Sequence, residues 1–276
     1  MLVWDVAVSA MPYVRCNGAD LYYEERGSGR PIVLLHGVMA GLGLFDRQVS
    51  DLSGEYRAVA LDFRGHGRSE KTELGHTIAG YARDLSAFLD RLDLEDVVVV
   101  GWSMGALVSW EYVDRFGTDR IRALVDVDME ASRFQWADYD HGITDLDGIR
   151  ETLALAQRDR WSLAERATEQ VFKEPPDDET RRLLFDEVSR TPAPVKSTIL
   201  FDALTVDYRE VLPTIDVPML VCAGADEKRG TVAAARHVAD LVPDATFELF
   251  EESGHCPFLE EPERFDRVLR RFLDGL

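Results

Sequence analysis

The sequence is short of lysine, of cysteine and of long apolar runs, and each shortage excludes a class of protein. Lysine occurs only at positions 71, 173, 196 and 228 of the 276 residues, and acidic residues outnumber basic ones 51 to 31, a formal net charge of −20. An acidic surface repels phosphate backbones and anionic lipid, so neither nucleic acid nor a membrane is expected as a partner. The three cysteines, Cys16, Cys222 and Cys256, are odd in number and widely spaced. That excludes a disulfide framework and points to a cytoplasmic setting. No C-x-x-C or H-E-x-x-H occurs, so no metal site is expected. No stretch approaches the roughly 18 consecutive apolar residues of a membrane span. The opening M-L-V-W-D-V-A-V-S-A has no basic flank and is interrupted by Asp5, so it does not read as a secretory signal. Residues 1–10, or up to 12, read as a loose extension, with Met11 available as a second start.

Apolar residues make up 46% of the chain, enough for a sizeable core. Short β-rich runs alternate with amphipathic stretches, the pattern of an α/β fold with a mostly parallel central sheet flanked by helices. Strands are predicted at Pro31–Leu35, Tyr56–Leu61, Val97–Val100, Ile121–Val127, Met219–Ala223 and Thr246–Phe250. The four consecutive valines of Val97–Val100 suit a strand buried on both faces. Asn17-Gly18 predicts a hairpin across Tyr13–Arg26. Helices are predicted at Ile78–Leu92, Met104–Phe116, Val232–Leu241 and Pro262–Leu273.

Residues 129–213 break the alternation. They carry helix patterns at Asp147–Gln157, Ala164–Phe172, Asp178–Arg190 and Val195–Leu204, separated by Pro175-Pro176 and Thr191–Pro194, and no convincing strand. A helical insertion between two sheet strands reads as a lid. The expected division is a core of residues 1–128 and 214–276 with a cap of 129–213.

After the valines the chain reads G-W-S-M-G, Gly101 to Gly105. A strand that enters a helix through Gly-x-Ser-x-Gly makes a tight turn, with the serine in a strained conformation at the helix N-terminus. The required strand and helix flank this turn, so Ser103 is the candidate nucleophile. Cys256 is expected to be a buried small hydrophobe rather than a reactive thiol.

With L-L-H-G-V-M (Leu34–Met39), D-F-R-G-H-G-R-S (Asp62–Ser69) and S-G-H-C-P-F-L-E-E-P-E-R-F (Ser253–Phe265) in that order, the chain resembles the α/β-hydrolase family, in its haloperoxidase-like, esterase and C–C hydrolase group. The resemblance covers nearly the whole length and is weakest in the helical insertion. It implies that His255 is the base that activates Ser103. It also implies that the backbone N–H groups of Val38 and Met104 form an oxyanion hole. His36 and His66 are implied to stabilise turns. His76, His141 and His237 lack any motif, and surface positions are expected for them.

The carboxylate that orients the base is left open. Counting from Gly224, the family position falls on Glu227 rather than Asp226. A second family solution places the acid at a strand end before the insertion, where Asp128 stands; Asp126 is expected to point into the layer below. Trp102 is expected to pack beside the turn. Trp136, Tyr139, Trp161, Phe172 and Phe201 are divided between lining a pocket and packing the insertion. The function implied is acyl-enzyme hydrolysis of a small or medium ester, lactone or related carbonyl compound, with no cofactor. Cofactor-free haloperoxidase or perhydrolase activity, non-hydrolytic catalysis of a small molecule and ligand reception on the same scaffold also remain open.

Overall fold

The structure, a computed structural model, describes residues 12–276; the extension expected at residues 1–10, or up to 12, falls almost wholly outside the described residues. The central strand β5 (Val97–Trp102) shows how the fold is organised. Val97 and Val99 point into one buried layer, and Val98 and Val100 into the other. Side chains alternate across a strand, so a continuous apolar run is what a strand covered on both faces needs.

Around β5 lie β1 (Tyr13–Cys16), β2 (Ala19–Arg26), β3 (Pro31–Leu35), β4 (Arg57–Leu61), β6 (Ile121–Val127), β7 (Met219–Gly224) and β8 (Ala245–Phe250). They form one eight-stranded sheet in the order β1-β2-β4-β3-β5-β6-β7-β8. The pairs β1/β2 and β2/β4 are antiparallel, and the remaining pairs are parallel. Asn17 and Gly18 have φ of 45° and 82°, the paired left-handed residues of a tight hairpin turn. The predicted hairpin and strands are thus in place, with ends shifted by a residue or two.

The core helices are α1 (Asp46–Leu52), α2 (Ile78–Arg91), α3 (Met104–Phe116), α8 (Val232–Leu241), α9 (Pro257–Glu260) and α10 (Pro262–Asp274). The short α1 and α9 were not predicted, because neither is long enough to show a period. Between β6 and β7 run α4 (Leu146–Arg158), α5 (Arg160–Gln170), α6 (Asp178–Arg190) and α7 (Ala193–Thr205). Asp145, Asp159 and Asp177 cap the first three of these helices, each side chain accepting backbone N–H bonds from the first turn. Strand pairing in the insertion is limited, among the described residues, to isolated bridges at Ser132–Asp207 and Phe134–Thr144. No helix among the described residues is long and apolar enough to cross a membrane.

Candidate active site

Four adjacent strand ends supply the site. Ser103 follows β5 with φ 54° and ψ −118° and is the N-cap of α3. The glycines on either side are there for space. A Cβ on Gly101 would lie 2.4 Å from the Ala106 nitrogen, and one on Gly105 would lie 2.2 Å from the Leu35 carbonyl oxygen. Strand and helix can approach this closely only without side chains, and the strained serine results.

His255 lies in the loop after β8 and is 1% exposed. Its Nδ1 lies 2.6 Å from Glu227 Oε2 and 3.5 Å from Asp128 Oδ2. The first is a strong hydrogen bond; the second is beyond good hydrogen-bond geometry. The backbone N–H of Arg229 donates to the other oxygen of Glu227. The opposite ring nitrogen, Nε2, is buried and makes no hydrogen bond among the described residues. The loop itself is fixed from both sides. The Trp102 indole N–H donates to the His255 carbonyl at 2.8 Å, and the His255 N–H donates to the Val171 carbonyl just past α5 at 3.0 Å. Trp102 is therefore a hydrogen-bonding anchor as well as packing.

The three candidate acids occupy different environments. Asp226 is half-exposed and pairs with Lys173 at 2.8 Å, away from the imidazole. Asp128 is buried, with φ 59°; burial foremost, and then the Glu227 charge, push its pKa well above the usual carboxylate range. Glu227 is also buried, and burial works against its charge. His255, Asp128 and Arg133 nevertheless hold its pKa below that range. The negative charge thus resides on Glu227, the oxygen closest to the imidazole. Burial likewise disfavours a charged His255, but the two carboxylates prevail and raise its pKa to about 9. Asp126 is buried, and burial, then Asp128, raises its pKa.

Asp128, Glu227 and His255 present donor atoms within 4.8 Å of one another, which is also the composition of a metal site. A tetrahedral ion with ligands at about 2.0–2.2 Å keeps those ligand atoms about 3.3–3.6 Å apart. The 2.6 Å contact between Nδ1 and Oε2 is shorter than that and suits a shared proton. Cys256 is fully buried, and burial, followed by the charge of Glu260, raises its pKa well above the ordinary thiol value. It is not a thiolate.

Val38, Ser103 and Met104 line a cavity of about 20 Å³, walled by Leu107, Met129 and the α7 residues Leu200, Ala203 and Leu204. None of the five predicted aromatics lines it. Tyr139 is buried in packing, Phe172 is buried but lines a different cavity, between α5 and α6, and Trp136, Trp161 and Phe201 are partly exposed. Arg133, Leu200, Leu204 and Arg229 also line an adjoining cavity of about 230 Å³ under the helical insertion. A larger cavity of about 430 Å³, between α5 and α6, touches neither Ser103 nor His255.

The expected surface placement of the remaining histidines is corrected. His76 is buried against Tyr81, its Nε2 2.7 Å from the Thr72 carbonyl. His141 and His237 are half-buried and pack against each other at a tilt, ring centroids 5.0 Å apart, beside Tyr139. An imidazole is apolar enough to fill space once its nitrogens find partners. His36 and His66 are fully buried in turns: His36 Nε2 accepts the Phe63 N–H, and His66 Nδ1 lies 3.1 Å from the Arg64 carbonyl. Sequence reading missed the basic residues Arg133 and Arg229 beside the site, because neither carries a motif.

A mostly parallel sheet with a strained serine where β5 meets α3, and an acid-bonded histidine after β8, three strands along, defines a class of hydrolytic folds. Residues 32–268 match the Alpha/beta hydrolase family, and the chain belongs to it. It is 28% identical to a non-heme chloroperoxidase of Kitasatospora aureofaciens over 94% of this chain and 97% of that protein. It is 29% identical to a putative carbamate hydrolase of Azorhizobium caulinodans over 95% of this chain and 98% of that protein. Among solved structures it superposes on an esterase of Exiguobacterium antarcticum with a TM-score of 0.92 and 25% identity, covering 96% of this chain and all of that one.

Proposed function

We propose that the protein is a cytoplasmic serine hydrolase that cleaves a small or medium ester or lactone through an acyl-enzyme. The observation that carries the reading is the buried His255–Glu227 hydrogen bond at 2.6 Å, on the strand ends beside the strained Ser103. Ser103 Oγ attacks the carbonyl carbon and passes its proton to His255 Nε2, the ring nitrogen left without a partner. Glu227 holds the ring and offsets the charge of the imidazolium. The N–H groups of Val38 and Met104 receive the oxyanion, where one such donor is worth roughly a hundredfold or more in rate. The alcohol leaves with the proton, and water then releases the acid by the same steps in reverse.

In this reading the helices of residues 129–213 are a lid. Ser103 is 4% exposed, and the space over it is about 20 Å³, room for about one water. A substrate enters when α7 moves away from α3. Similarity to a chloroperoxidase supports perhydrolysis as a second activity of the same groups, hydrogen peroxide replacing water in the second step.

The test is turnover of p-nitrophenyl acetate and butyrate with fluorophosphonate labelling, in wild type and Ser103→Ala. The expected result is turnover and label on Ser103 in wild type, and neither in the variant. A folded wild-type protein that neither labels nor turns over would overturn the reading.

A further inference from the structure

The cavity of about 230 Å³ beside the catalytic serine has a charge pattern opposite to that of the molecule. Arg133, Arg166, Lys228 and Arg229 line it and, among the described residues, no aspartate or glutamate does, in a chain with 51 acidic and 31 basic residues. Composition alone would not produce such a wall. Arg133 is buried and paired with Glu130 at 2.8 Å, which fixes its guanidinium and spends its charge internally. The Lys228 ammonium donates to the carbonyls of Phe172 and Lys173, at 2.7 and 3.1 Å, and has no acidic partner. The Arg229 guanidinium is half-buried and makes no hydrogen bond or ion pair among the described residues, although its backbone N–H donates to Glu227. Burial, then the neighbouring Arg133 charge, lowers its pKa to about 10. Glu227 and Glu130 act on Arg229 through space but neither bonds its guanidinium, so its N–H groups are left to take an anion in the cavity.

Arg133 and Arg229 line both this cavity and the small one over Ser103, so one molecule can reach both. Leu200 and Leu204 supply an apolar wall along the same path. We propose that this cavity binds a carboxylate on the acyl side of the substrate, so that the protein selects half-esters or lactones carrying a second, free acid. Arg229 is the residue that takes the carboxylate, and Arg166 and Lys228 add positive potential at the outer rim. The planar fork of a guanidinium matches a carboxylate, and a charge-assisted pair of this kind is worth roughly ten- to a hundredfold in binding.

This inference rests on the serine-hydrolase reading for its catalytic consequence, but its binding claim does not. Titration calorimetry on Ser103→Ala with monomethyl glutarate and, separately, dimethyl glutarate tests it without turnover. The expected result is binding of the mono-acid at least about tenfold tighter than the diester, lost in Ser103→Ala/Arg229→Gln and partly kept in Ser103→Ala/Arg229→Lys. Equal affinity for the two, or no binding of either, overturns the subsite. In parallel, wild type is assayed on mono-p-nitrophenyl glutarate and on its neutral methyl ester. A preference for the acid that falls toward unity in Arg229→Gln supports the subsite. Turnover of both esters without preference overturns it and leaves the hydrolase reading intact. Mono-acid binding without any turnover supports the subsite and overturns the hydrolase reading.

Discussion

At His255 the two ring nitrogens face different chemistry: Nδ1 is bonded to Glu227, and Nε2 is buried without a partner. The base must be neutral to take a proton, so kcat/KM is expected to rise as pH climbs through the raised pKa of His255, about 9 in the resting protein. Glu227→Gln removes the nearest charge that raises it. The rising limb of the pH–rate profile should then move to lower pH while the rate falls, by roughly a thousandfold or more. Asp128→Asn should behave otherwise, because Asp128 already favours its neutral form and asparagine tolerates its positive φ. A loss of no more than about tenfold is expected, the scale of one neutral hydrogen bond. Asp226→Asn removes only a surface pair with Lys173 and should leave the ester rate unchanged. If Asp128→Asn rather than Glu227→Gln collapsed the rate and shifted the profile, the assignment of the acid would be reversed.

At the scale of elements, two glycines separate two kinds of constraint. Gly18, in the turn between β1 and β2, has φ +82° and open space where a Cβ would go. Gly18→Ala is therefore strained only by its backbone, at about 1 kcal/mol. Gly105, the second residue of α3, has an ordinary φ, but its Cβ would meet the Leu35 backbone at 2.2 Å. Gly105→Ala must push α3 away from β3 and is expected to cost about 2–3 kcal/mol. Thermal unfolding of both variants checks the order, with Gly105→Ala the lower. Gly105→Ala should also lower fluorophosphonate labelling, since Ser103 and the Met104 N–H move with the helix. The helical insertion is tied to the base in a comparable way. The segment after α5 accepts from the His255 N–H at Val171, and its Lys173 N–H donates to Glu260.

For the whole molecule, the formal charge of −20 sets a self-repulsion that salt relieves. Raising ionic strength from about 0.01 M to about 0.15 M shortens the screening length from about 30 to about 8 Å. The melting temperature should rise by a few degrees over that range; no change, or a fall, would mean that local ion pairs outweigh the net charge. The same salt should weaken binding of a mono-acid in the basic cavity.

Much of this protein could be read from the chain alone. Val97–Val100 and the Asn17-Gly18 turn are local signals, because strand period and turn sterics act within a few residues. The Gly-x-Ser-x-Gly turn is likewise a local steric requirement, and it made Ser103 visible before any fold was known. The short helices α1 and α9 were not legible, since a single turn or two carries no period. The buried position of His76 and the half-buried ones of His141 and His237 were also hidden, because an imidazole carries no mark of what packs on it. Three carboxylates satisfied the chain order equally, and only the tertiary structure separated them. It put Glu227 against Nδ1, left Asp128 a longer step away and turned Asp226 to Lys173 at the surface. The basic wall of Arg133, Arg166, Lys228 and Arg229 was beyond sequence reading for the same reason. Its members come from the segment after β6, from α5 and from the loop after β7. Distance in the chain says nothing of which charges share a cavity, and electrostatics acts through space.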